Sequence, residues 1–122
     1  MLDVIAVGCG GFIGAVLRYL IGMIPLNETT VFPIKTFLIN IIGCILIGYI
    51  AIFVAKGVEV NPRLILFIKV GICGGFTTFS TFALESSDLI REGHIMIAAM
   101  YMILSVMIGV GVILVTEMTL NR

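Results

Sequence analysis

Four long apolar stretches, parted by three short polar ones, organise this chain of 122 residues. The apolar stretches cover approximately residues 4–24, 33–55, 64–84 and 95–116. Each holds about 20 residues or more, which at about 1.5 Å of rise per residue crosses a hydrocarbon core of about 30 Å. The polar stretches are residues 25–30, 56–63 and 86–94. This pattern predicts an all-α membrane protein of four transmembrane helices with short connections. It gives a single bundle domain over residues 1–122 and leaves no room for a soluble domain. Met1-Leu2-Asp3 puts an acid where a signal peptide carries basic residues, so the first stretch is expected to be retained as a span.

Composition points the same way. The chain is 61% hydrophobic and 11% charged, with a mean hydropathy of +1.28. Soluble domains sit near 45–50% apolar and about 25% charged. The formal net charge is zero, which leaves no basic patch for nucleic acid. Cys9, Cys44 and Cys73 all fall in apolar stretches without a CxxC pair, and are expected to be small, soft packing residues. His94, the single histidine, lies in a polar connection without triad or metal partners, which argues against an enzyme. The basic residues divide evenly between the two membrane faces. Lys56, Arg63 and Arg122 share the face of the N-terminus, while Arg18, Lys35 and Arg91 lie towards the other. Lys69 leans weakly to the first face. Loop charge therefore gives almost no orienting bias, and an antiparallel homodimer is physically permitted.

The chemistry concentrates in the third stretch, at Gly74-Gly75-Phe76-Thr77-Thr78-Phe79-Ser80-Thr81-Phe82. Glycines and β-branched or hydroxyl residues are modest helix formers, so the third helix is expected to be interrupted near 74–78. An interruption frees carbonyls that must find partners in protein, water or an ion. Opposed carbonyls around a two-fold axis suit a small cation. Phe79 and Phe82 read either as core packing or as ring edges offered to an anion. Ser80, Thr81 and the amide of Asn40 could replace the hydration shell of a small anion without holding it too tightly. Asn40, with Thr36 one turn earlier on the same face, is otherwise an interhelical hydrogen-bonding group. Tyr101 and Ser105 repeat the i, i+4 pattern on the fourth helix. In the first helix, Gly10 and Gly14 have the small-xxx-small spacing of close helix contact. Arg18 follows as either a snorkelling side chain or an attractor of anions. A dinucleotide-binding reading of Gly8, Gly11 and Gly14 fails, because no second strand with a terminal acid follows.

Three elements together, Gly11-x-x-Gly14-Ala15-x-x-Arg18-Tyr19, the lone Asn40 before Gly43, and the 74–82 stretch, resemble the Fluc (CrcB) fluoride channel family. The resemblance spans all four helices. It implies an antiparallel, dual-topology homodimer in the plasma membrane, with two fluoride pores and a central sodium ion, exporting fluoride passively and lowering its cytoplasmic level. By the same resemblance, backbone carbonyls of Gly74 and Thr77 from each subunit would hold the sodium. Phe79 and Phe82 would face fluoride, with Asn40 bonding the rings or the ion. Ser80, Thr81, Tyr101 and Ser105 would extend the polar track. Arg18 would sit on the vestibule side and Glu85 near the pore's opposite end. Gly109 departs from relatives that carry a serine there, so the track would be shorter or completed by water. Two other readings remain open at this level. A small multidrug exporter needs a membrane-embedded carboxylate for proton coupling, for which only Asp3 and Glu85 are available. A structural subunit would use the small-residue helices for packing alone and carry no ions.

Overall fold

The computed structural model describes residues 1–26 and 29–120. Asn27 and Glu28 of the first connection, and Arg122 among the basic residues counted above, lie outside the described residues. Helix α1 is Leu2–Met23 and α2 is Ile34–Ala55. The third span opens with α3, Pro62–Ile65, widens into a π-helix over Leu66–Cys73 and closes with the short α4, Gly74–Phe76. After Thr77 and Thr78 it resumes as α5, Phe79–Arg91, and α6 is Ile95–Leu120. Four segments are long and apolar enough to cross a membrane: Leu2–Met23, Ile34–Ala55, Pro62–Arg91 and Ile95–Thr119. No strand occurs among the described residues.

Local chemistry sets the ends. Asn61 caps α3, its side chain accepting the Arg63 amide at 2.9 Å, and Pro62 occupies the first position, where its missing N–H costs nothing. Gly57 and Gly93 have φ of +65° and +85°, the left-handed conformation that ends α2 and α5. At the end of α5 the Gly93 amide donates to Ile90 O and the His94 amide to Leu89 O, closing the last carbonyls in a Schellman turn. The third span runs seven residues beyond the predicted end at 84, and only 92–94 form the connection. Polarity misled there because Ser86 donates its hydroxyl to Phe82 O at 2.7 Å, and Leu89 packs on Ala98 and Tyr101 of α6. A serine that bonds its own helix does not end it.

Glycine holds the bundle together. Gly10 and Gly14 of α1 are buried against the π-helical segment, and Gly71 returns the contact. A Cβ on Gly10 would meet the Phe67 carbonyl oxygen, and one on Gly14 the Ile72 carbonyl oxygen, both backbone atoms that cannot step aside. Gly75 sits equally close to the Gly11 backbone. Gly43 of α2 receives the Thr77 methyl, and Gly48 faces Thr116 of α6. Lipid tails are as apolar as leucine, so close backbone approach and dispersion, rather than exclusion of water, hold such helices together. The outer surface accordingly exposes large apolar side chains such as Phe12, Leu20, Ile103 and Met107. An exposed Asp3–Arg63 ion pair at 2.8 Å ties the start of α1 to α3.

Replacing Gly14 with Val should therefore destabilise the folded protein by about 3 kcal/mol or more, the upper range for overpacking. Gly8 has open space around its Cα. Its replacement by Ala should be neutral or stabilise the helix by up to about 1 kcal/mol. Thermal unfolding of the two variants in detergent, monitored by size-exclusion, checks the contrast; equal behaviour would contradict the packing assignment.

Candidate functional site

Midway along the third span, Thr77 and Thr78 take extended dihedrals, with ψ of 157° and 121°. In a continuous helix the Thr78 amide would donate to the Gly74 carbonyl and the Thr81 amide to the Thr77 carbonyl. Here the Thr78 amide donates to Asn40 Oδ1 at 2.9 Å, and the Thr81 amide to Thr78 Oγ1 at 3.2 Å. Asn40 also donates its Nδ2 to the Thr78 carbonyl at 3.1 Å. One side-chain amide from α2 thus pairs with both polar groups of Thr78, as a neighbouring strand would. Thr77 turns inward instead, its N–H and its hydroxyl both donating to the Cys73 carbonyl, at 3.0 and 2.8 Å. The glycines at 74 and 75 stay helical; the two threonines leave the helix because capping and side-chain partners wait for them.

Two cavities meet at Thr78. The first, about 270 Å³, is lined by Asn40, Cys44, Thr77, Phe79, Phe82 and Ser105, among others. The Phe79 and Phe82 rings lie 5.8 Å apart at 47°. Phe79 is 78% exposed in the single chain. The Ser105 hydroxyl is buried without a protein partner, beside Asn40 and Cys44 in the cavity wall. The second cavity, about 400 Å³, is lined by Arg18, Tyr19, Gly22, Lys35, Thr36, Thr81 and Glu85, among others. Glu85 is fixed by two hydroxyls: Thr36 donates to Oε1 at 2.8 Å and Tyr101 to Oε2 at 2.7 Å.

This arrangement redistributes the candidate residues. Asn40, Phe79, Phe82 and Ser105 share the first cavity, while Arg18, Thr81 and Glu85 share the second. Arg18 and Glu85 were expected at opposite ends of a pathway, yet they line one space, bordered by the later turns of α1 and by α5. Tyr101 lines neither cavity. It is fully buried, edge-on to Phe82 at 5.0 Å and to Phe32 at 5.4 Å, and its hydroxyl donates to Glu85. Asn40 is bound to the Thr78 peptide through both its amide nitrogen and its amide oxygen. Ser80 is exposed, with its hydroxyl 3.4 Å from that of Thr78. Gly74 has open space around its Cα. Sequence reasoning did not single out Thr78 or Lys35 as site residues, and set Cys44 aside as packing. Cys44 lies one turn beyond Asn40, and that spacing was the signal available.

Fold and site define a multi-pass helical membrane protein with a largely apolar cleft at mid-span, into whose wall an asparagine, two threonines and a serine are set beside two aromatic rings. The family described as CrcB-like protein, Camphor Resistance (CrcB), matches residues 5–116, and the chain belongs to that family. A relative from Ruminiclostridium cellulolyticum is 43% identical over 107 residues, covering 87% of this chain and 82% of its own. One from Prosthecochloris aestuarii is 41% identical over 119 residues, covering 98% and 92%. One from Chlorobium chlorochromatii is 40% identical over 99 residues, covering 81% and 77%. All three carry the name fluoride-specific ion channel FluC.

Replacing Asn40 with Leu should strand both polar groups of Thr78 and destabilise the protein by about 1–3 kcal/mol. Hydrogen exchange at the Thr78 amide reports this directly: protection should fall by an order of magnitude or more in the variant. Unchanged protection would mean that another group satisfies that peptide.

Proposed function

We propose that this protein is a fluoride-specific ion channel, acting as an antiparallel, dual-topology homodimer in the cell membrane. It conducts fluoride passively out of the cytoplasm. The observation that carries this reading is the mid-span cleft in which the Asn40 amide, the Phe79 and Phe82 rings and the unpartnered Ser105 hydroxyl converge. The relatives' name supports it. A small anion entering the bilayer loses a large hydration energy. Ring edges, which carry positive charge, and hydroxyl donors replace part of that shell at several weak sites, which favours passage over capture. Helix α5 adds its N-terminal partial charge, since its first-turn amides open beside Phe79 and Ser80.

The second copy answers to what one chain leaves bare. Phe79 is mostly exposed, Ser80 is exposed, and Gly74 has room for another backbone to approach. The even division of basic residues allows the two copies to insert in opposite senses. Sodium fits the same place. The Gly74 and Thr77 carbonyls have lost the amides that a helix would give them, and hard cations take carbonyl oxygens. Two from each copy would hold the ion, which supplies a fixed positive charge that ties the copies together. Ser80, Thr81 and Ser105 form the polar track, with Tyr101 and Glu85 as its buried support, and Arg18 borders the approach. Proton-coupled export is disfavoured, because both oxygens of Glu85 are occupied by hydroxyl donors.

Purified protein in liposomes should release trapped fluoride without a proton gradient; strict dependence on such a gradient would overturn the channel reading. Phe82→Ile should lower the flux about tenfold, as expected for losing an aromatic contact of roughly 1.4 kcal/mol, while the dimer still elutes intact. Exchanging sodium for N-methyl-D-glucamine throughout purification should abolish flux or convert the dimer to monomer, read by size-exclusion with light scattering. An active dimer without sodium would contradict the cation assignment.

A further inference from the structure

The second cavity contains more charge than the cleft it adjoins. Arg18, Lys35 and Glu85 line it, and three helix ends open onto it. The last turn of α1 contributes through Gly22, the first turn of α2 through Lys35 and Thr36, and the start of α5 through Thr78 and Thr81. A helix C-terminus carries about −0.5 of a charge and an N-terminus about +0.5, so the α1 and α2 ends nearly cancel and the α5 end adds about +0.5. Arg18 and Glu85 bear opposite unit charges and cancel as well. Asp88 and Arg91, one turn beyond Glu85, close on each other at 2.7 Å and add nothing net. Among the described residues lining the cavity, Lys35 and the weaker α5 end are what remain. Its Nζ donates to the Gly22 carbonyl at 2.9 Å, which anchors the ammonium on the α1 end and leaves two N–H donors. That bond also keeps the side chain from extending away into solvent.

We infer that Lys35 supplies most of the positive potential in this antechamber, and so sets the rate at which a small anion reaches the cleft at Thr78. The inference rests on the channel reading above and deepens it. With Lys35 the wall carries about one and a half positive charges; without it the same wall keeps about half of one. As a general magnitude, one unit charge acting over about 8–10 Å of water-rich space changes local anion concentration about threefold at low ionic strength. A purely structural lysine, tethering α2 to α1, would have no such dependence on salt.

The experiment compares wild type, Lys35→Gln and Lys35→Arg in liposomes at constant fluoride. Ionic strength is set with an impermeant salt to about 10 mM or about 1 M, where the screening length falls from roughly 30 Å to roughly 3 Å. Lys35→Gln should conduct about threefold more slowly than wild type at low salt and equally at high salt, with Lys35→Arg restoring the low-salt rate. Wild-type flux itself should fall as ionic strength rises, a measurement that needs no variant. A Lys35→Gln deficit that is the same at both salts, or absent at both, overturns the inference. Wild-type flux insensitive to salt overturns it too, while leaving the channel reading intact. Wild-type protein that carries no fluoride removes the channel reading, and the inference with it.

Discussion

A peptide group inside a bilayer has no water to bond, and the third span departs from the helix at Thr77 and Thr78 in the middle of its length. Each unsatisfied backbone group there costs several kcal/mol. The rest of the molecule is arranged around meeting that demand. Asn40 on α2 pairs with both sides of the Thr78 peptide, and the Thr78 hydroxyl caps α5 through the Thr81 amide. Two carbonyls, at Gly74 and Thr77, are left without helical donors. One local departure therefore bares two carbonyl oxygens, where the proposed sodium would sit, and opens the first-turn amides of α5 beside the proposed anion path. Such a departure would be excluded by lipid unless neighbouring helices came close enough to cover it.

The glycine contacts supply that closeness. The π-helical turn over Leu66–Cys73 carries Gly71 onto Gly10, and Gly14 lies under the Ile72 carbonyl. Gly43 then makes the hole that receives the Thr77 methyl, which fixes Asn40, one turn earlier on α2, opposite Thr78. Packing and polar pairing are thus one event. A side chain added at any of these glycines would push apart the same backbones that the asparagine must bridge. A π-helix is rare and clusters at functional segments, and here it leads directly into the extended threonines.

Glu85 shows how the fold accommodates an acid beside the proposed anion path. Its two oxygens accept hydroxyls from Thr36 and Tyr101, and the Tyr101 ring is wedged edge-on between Phe32 and Phe82. The carboxylate is thereby held in one orientation, and it positions Phe82 through the tyrosine. The cations at Arg18 and Lys35 line the same space as this acid. The charge an approaching ion meets is a sum over several elements, which no single side chain reveals.

Four spans were legible in the sequence because hydropathy over about 20 residues depends only on local composition. The family was legible because glycine, threonine and phenylalanine stand at fixed spacings in one short stretch. The residues of the cleft were legible as polar groups in an apolar setting, though not their partners. That Asn40 bonds the Thr78 peptide, that Tyr101 serves Glu85, and that Arg18 and Glu85 share a cavity depend on contacts between distant segments. The end of the third helix was misjudged for the same reason: Ser86 looked like a loop residue until its hydroxyl was seen bonded within the helix and Leu89 packed on α6. Composition determines that a segment enters the bilayer. Which polar atoms meet there is decided by how closely glycine lets the helices approach, and that is a property of the assembled chain.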